Sequence, residues 1–528
     1  MVILATLAVF LAYTALVVAF RKPLRKYGVT VMGPLLMVRT QRGRGLVERA
    51  ARHIRLWRAF GSAGTLLMVA GMAIMMGLVL VMVFRQATHG FPPPSALTRP
   101  EAALLLPGIN PFVPLFWGLV GIIVAVVIHE LGHAILTRVE GLTLKSMGVL
   151  LALVPIGAFA EPDEEELFGV RKPSREGESP RPPPKKIAGP KERLRILSAG
   201  VAGNFAVGGL CLVLLFALVV PGFAPASPTE LWVREADPAS GLRAGDVVLL
   251  DGQPVAAGAD LDGLLTGMAG RTARLEALSG GSVTFTAPGF EGVRLESVSP
   301  GGAAERAGLR AGDTILAMDG LDARSLRAFR EFMASTLPGQ QVRISTGRGP
   351  FTVVLGEREL GGKSVGFLGV TGVQVVAGVV LDTFPARGYL DAYASVPRRN
   401  PGEALLLLMA LPFIGPQPGL TPFSEPASHF YAPAGWLAGL GTGAFYLANL
   451  LLWVGWINLI VGLFNCLPAV PLDGGHVFRE LVRKALRRLR VEGEERRERM
   501  SAAIVRAFAL FIFVSLFVSF LGPNLSPG

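Results

Sequence analysis

Residues 112–136 form one apolar run interrupted by H-E-L-G-H at 129–133. A segment of about 20 apolar residues crosses a bilayer as a helix, because only a helix satisfies its backbone polar groups internally. On such a helix His129 and His133, four positions apart, share a face and offer two imidazoles to one metal ion. Glu130, next to the first imidazole, is placed to take a proton from a metal-bound water. This spacing suits Zn2+, which at catalytic sites takes three protein ligands and keeps one position for water. Ionisable side chains at membrane depth are costly and mark function. The competing reading, that these three residues merely pack helices together, is the weaker one for a group this dense.

Composition agrees with a polytopic membrane protein: 51% of the 528 residues are hydrophobic, 17% are charged, and mean hydropathy is +0.49. The net charge of +12 does not indicate nucleic acid, because Lys and Arg cluster beside apolar segments, where membrane topology puts them. Two cysteines, Cys211 and Cys466, both in apolar sequence, cannot build a disulfide framework or a cysteine zinc site.

Taken in order, residues 2–20 are apolar and precede R-K-P-L-R-K, the reverse of a secretory signal, so they read as a retained first span with its N-terminus outside. The basic stretch 39–58 stays in the cytoplasm. A second span covers about 61–84, an external loop 85–111, and the third span carries the histidines towards its cytoplasmic end. Residues 145–160 contain a Pro and two Gly, which fits either a re-entrant hairpin beside the metal or an interfacial loop. E-P-D-E-E-E at 161–166 reads as a solvated acidic turn, and 171–193 as a flexible cytoplasmic loop. The fourth span, about 194–220, holds A-G-V-A-G-N-F, where small residues permit close helix approach and Asn204 bonds a neighbouring helix as packing.

Soluble composition then begins, and it repeats: S-G-L-R-A-G-D-V-V-L-L-D-G (240–252) matches A-G-L-R-A-G-D-T-I-L-A-M-D-G (307–320). Each copy follows a strand pattern and precedes a helix pattern. Both resemble PDZ domains, and an even number of preceding spans puts them outside. Such domains bind extended peptides at a sheet edge, so the resemblance implies contact with a substrate tail, a filter for bulky ectodomains, or a structural spacer. G-F-L-G-V (366–370) has the composition of a PDZ carboxylate loop, although it follows the repeat rather than leading it. The apolar stretch 404–414 is too short to span and reads as re-entrant or interfacial.

A further span begins near residue 443 and ends in N-C-L-P-A-V-P-L-D-G-G-H, followed by the basic F-R-E-L-V-R-K-A-L-R-R-L-R. Asp473 therefore lies near the depth of His129 and His133. Pro468 and Pro471 break the helix and turn it towards the metal. As an isolated residue Asp473 fits equally well as a helix cap; the matched depth favours it as the third ligand. His476 reads as interfacial. A last span covers about 503–521.

H-E-L-G-H in a membrane helix, a repeated outside domain, and N-C-L-P-A-V-P-L-D-G in a later span together resemble the site-2 protease family, over most of the chain from about residue 121. The expected fold is a polytopic α-helical membrane protein of about six spans plus re-entrant segments, with two small α+β PDZ-like domains inserted outside the membrane. The expected parts are 1–60 (first span and basic segment), 61–221 (membrane core), 222–287 and 288–360 (PDZ-like domains), 361–435 (linker with a short apolar segment) and 436–528 (membrane core). The resemblance implies a zinc metalloprotease of the cell membrane that cuts transmembrane protein substrates, with its active site towards the cytoplasm. It implies His129, His133 and Asp473 as ligands, Glu130 as general base, and Asn465 as a contact to the substrate strand or the developing oxyanion. The alternatives are an anchored zinc protease acting on soluble chains, which needs a ligand on a soluble helix, and an inactive PDZ scaffold, which needs a broken ligand set.

Overall fold

A computed structural model describes residues 13–21, 23, 29–32, 35–40, 44–91, 100–103, 105–152, 154–169, 186–299, 301–360, 363–413 and 421–525. Five described helices are long and apolar enough to cross a membrane. They are α1 (Ile54–His89), α2 (Leu115–Val139), a helix running from Ala199 to Gly222, one at Gly443–Asn465 and one from Glu494. The third of these is entered from α3 (Pro190–Leu197), and its regular part is α4 (Ala199–Leu214). The last two are α5 (Gly443–Asn465) and, after the basic helix α6 (Asp473–Arg488), α7 (Glu494–Leu525). Most of the first expected span lies outside the described residues; 13–19 are helical.

The core of the bundle is α2, α4 and α5, brought close by glycines. A Cβ on Gly121 of α2 would stand 2.5 Å from Ile457 of α5, and one on Gly132 would stand 2.5 Å from the carbonyl of Ala199. Without an aqueous hydrophobic drive between helices in lipid, such close backbone approach is the main source of packing. α5 is the most enclosed of the five, with Trp453, Ile457 and Asn458 fully buried.

At the C-terminal end of α2, Glu140 is fully enclosed and binds three cations. Its carboxylate accepts from Arg58 of α1 (3.1 Å) and Arg195 of α3 (2.7 Å), and its carbonyl accepts from Lys186 (2.7 Å). A second buried pair, Arg193 with Glu480 (3.2 Å), ties α3 to α6. These pairs fix where α2, α3 and α6 begin and end relative to one another.

Within 145–160 the described residues form two paired strands, which agrees with a hairpin rather than an interfacial loop. Strands β1 (Val29–Met32), β2 (Leu35–Thr40), β3 (Leu144–Ala152) and β4 (Val154–Pro162) make an antiparallel sheet in that order, leaving β4 at an edge. The acidic stretch after β4 is not uniformly solvated. Asp163 caps a short helix by accepting from Glu165 (2.9 Å), and Glu166 is buried, accepting from the amide and hydroxyl of Thr143. Of the segment expected to be a flexible loop, 171–185 lie outside the described residues, whereas 186–193 are held by Lys186 and the start of α3.

The two sequence repeats share the order strand, short helical turn, strand, helix, strand pair, to which the second adds a two-residue strand at Leu321–Asp322. Their leading strands are β5 (Leu231–Ala236) and β6 (Phe290–Val298). A hairpin of β7 (Val370–Val376) and β8 (Val379–Thr383) supplies one partner to each, so that β6, β7, β8 and β5 are consecutive in one sheet. The hairpin follows residue 360, where composition alone closes the second unit, because its strands complete sheets begun far upstream. Residues 401–413 form a short apolar helix packed on α5, where Trp456 donates to the carbonyl of Met409 (3.3 Å).

Candidate metal centre

α2 places His129 and His133 one helical turn apart with their Nε2 atoms 3.2 Å from each other. α5 ends at Asn465, and the turn 466–472 redirects the chain so that Asp473 opens α6. Gly474 and Gly475 lie directly against the backbone of that turn, where a side chain would collide with residues 466–470. Asp473 Oδ2 thereby comes to 3.0 Å from His129 Nε2 and 3.2 Å from His133 Nε2. Asp473 belongs to the basic helix after the span, not to the span itself.

Donors from three residues thus converge, with side chains only 12%, 13% and 17% exposed. Two donors held at about 2.0–2.1 Å from one tetrahedral zinc ion lie roughly 3.3 Å apart, close to the spacing seen. The surroundings leave room on the donor side: a Cβ on Gly200 of α4 would stand 2.6 Å from both Nε2 atoms. The residue facing the donors is therefore one without a side chain. Two imidazoles and a carboxylate in this arrangement fit zinc and leave its fourth position for water.

The other predicted residues are held by their own partners. Glu130, next to His129 on α2, is tied to β4, where its Oε2 accepts from the amide of Ala160 at 2.7 Å. Asn465 ends α5 half-buried, with its amide donating to the Val461 carbonyl of its own helix (3.0 Å). His476 lies on α6 with its ring 6.1 Å from Phe168 and is not among the grouped donors.

The β1–β2 pairing and the contact of Asn204 with His129 escape sequence reasoning. The β1–β2 strand pair extends the sheet beside the site; V-T-V-M-G-P-L-L-M-V, two apolar runs around a Gly-Pro dipeptide, carries that signal. Asn204 touches His129, with Nδ2 3.4 Å from Nδ1. G-F-L-G-V, though late in the chain, borders a groove of about 560 Å³ between residues 365–372 and the helix Leu326–Ala334.

A membrane-spanning bundle enclosing two imidazoles, a carboxylate and an adjacent glutamate defines a membrane protein with a centre of metallopeptidase type. The profile of peptidase family M50 matches residues 117–513, and the chain belongs to that family, the site-2 proteases. It is 27% identical over 228 residues to an uncharacterized protein of Methanocaldococcus jannaschii, covering 43% of this chain and 53% of that one. The match therefore spans about half the length of that relative. It is also 27% identical over 198 residues to the protease RseP of Photorhabdus luminescens, covering 35% of this chain and 80% of that one.

Proposed function

We propose that this protein is a zinc-dependent endopeptidase that hydrolyses peptide bonds within or near the transmembrane helices of membrane-protein substrates, as in regulated intramembrane proteolysis. The observation that carries the reading is the meeting of His129, His133 and Asp473 beside Glu130 inside a membrane-spanning bundle. In this reading those three residues hold the ion. When bound, zinc makes water a nucleophile at neutral pH and polarises a carbonyl. Glu130 takes the proton released from the attacking water and delivers it to the leaving amine. The amide of Ala160 occupies one of its oxygens and leaves the other for that transfer.

A helical substrate has its amides hydrogen-bonded within itself, so it must unwind before attack. β4 offers a partner for the unwound chain. Ala160 directs its amide away from β3 towards Glu130, and Ala158, two positions back along the strand, directs its backbone groups the same way. A substrate strand added to this edge runs past Glu130, and Asn465 contacts it from the end of α5. The groove beside 365–372 takes an extended peptide or ectodomain tail, as PDZ domains do. The protein sits in the cell membrane with its N-terminus and repeat units outside and the metal towards the cytoplasm, in keeping with the basic residues of α6.

The test measures zinc content and cleavage of a single-span substrate in liposomes for the parent, Glu130→Gln and Asp473→Ala. The parent is expected to hold about one zinc and to cut inside the span. Glu130→Gln keeps the metal and loses cleavage, and Asp473→Ala loses both. A parent without zinc would leave an inactive scaffold, and cutting only of soluble chains an anchored protease; either result overturns the proposal.

A further inference from the structure

Asn204 is fully buried in α4, one turn beyond Gly200 and on the same face. Its Nδ2 lies 3.4 Å from His129 Nδ1, and its Oδ1 has no hydrogen-bond partner. His129 uses its other nitrogen at the donor group, since Nε2 is the atom that faces both His133 and Asp473. A neutral imidazole with its lone pair at Nε2 carries its hydrogen on Nδ1. That hydrogen needs an acceptor. The two ends of a carboxamide have nearly the same shape, and a half-turn of the Asn204 amide brings the orphaned Oδ1 to the ring. His133 already has this arrangement, with Nδ1 2.8 Å from the carbonyl of Ile196.

We propose that Asn204 is the positioning residue of His129: its Oδ1 accepts from Nδ1–H and thereby fixes the tautomer and tilt that aim Nε2 at the metal. Each imidazole then has its own anchor, a backbone carbonyl from α3 for His133 and a side chain from α4 for His129. Such partners typically change metal affinity by about 10–100-fold. An interhelical packing role for Asn204 needs only its size and buried polarity; the present role needs an acceptor at one atom. The inference rests on the zinc reading of His129, His133 and Asp473.

The experiment uses the full chain in detergent and reads zinc affinity by chelator competition, the absorption spectrum of the cobalt-loaded protein, and the thermal midpoint of the metal-free protein. Asn204→Leu keeps the volume and removes the acceptor; Asn204→Asp keeps the acceptor. Asn204→Leu is expected to weaken zinc binding about 10–100-fold and to shift the cobalt spectrum while the metal-free midpoint holds. Asn204→Asp is expected to restore affinity and spectrum. Asn204→Ala gives the same reading should the leucine variant not fold. Parent-like affinity in Asn204→Leu, or failure of Asn204→Asp to recover it, overturns the assignment while leaving the metal centre intact. A parent that binds no zinc overturns the metal centre itself, and this assignment with it.

Discussion

Ala160 donates its backbone amide to Glu130 at 2.7 Å, so the edge of a sheet holds the carboxylate that stands next to His129 on α2. A proline at this position removes the donor without taking a bond from the β3–β4 ladder, because the amide points away from β3. A hydrogen bond to a charged group contributes about 1.5–3 kcal/mol, roughly 10–100-fold in a rate that depends on it. Ala160→Pro is therefore expected to lower kcat by about that factor at unchanged zinc content. Cleavage kinetics with metal analysis on the same sample check it, and parent-like turnover would refute the role given to β4.

Gly200 makes a second, steric prediction. With Gly200→Ala, a methyl group enters the space 2.6 Å from both Nε2 atoms. Zinc content after purification is expected to fall well below one per chain. Gly209, on the same helix with nothing within 4 Å of a Cβ, is the control. Gly209→Ala should keep its zinc and gain about 1 kcal/mol from helix propensity.

The meeting of His129, His133 and Asp473 was legible because their spacing is local or their depth is matched. H-E-L-G-H sets two donors on one helix face by spacing alone, and the turn around Pro468 and Pro471 announces that Asp473 leaves the helix axis. The repeat at 240–252 and 307–320 was legible as self-similarity. What stayed hidden depends on partners far along the chain. Leu36 of β2 faces Leu151 of β3, and no local pattern states that pairing. The strand β7 pairs with β6 from the other end of the unit, a partnership that composition does not state. Asn204 read as helix packing because its meaning depends on the rotation of α4 against α2. Glu140 drew no notice, since its cations stand 82 and 55 residues away.

Glu140 supplies the third prediction. Its side chain is fully enclosed, whereas that of Arg58 is 48% exposed and that of Arg195 17%. Removing one member of a buried pair leaves an uncompensated charge and destabilises by about 3–5 kcal/mol. Glu140→Ala is expected to approach that range, because it strands the more buried Arg195. Arg58→Ala should have a much smaller effect, its charge being partly in water. Denaturant unfolding in detergent measures both; equal effects would show that Arg58, not Arg195, dominates the pair.

The second repeat unit carries a pH-sensitive anchor outside the membrane segments. Asp313, 5% exposed, pairs with Arg348 from the turn that joins strands Gln341–Thr346 and Gly349–Val354 and accepts from the amide of Arg310 (2.8 Å). The bond from Arg348 is the main reason its carboxyl titrates below the usual range, helped by the Arg310 amide and opposed by burial. A group whose folded pKa is depressed binds protons more readily when unfolded, so it stabilises the fold above the unfolded value of about 4. That contribution is lost as pH falls through the lower folded value. Hydrogen exchange across residues 290–376 should therefore accelerate as the pH drops below about 4, after correction for intrinsic rates. Asp313→Asn should exchange faster than the parent at neutral pH and lose this part of the acid dependence. An Asp313→Asn profile parallel to the parent's would show that the anchor lies elsewhere in the unit.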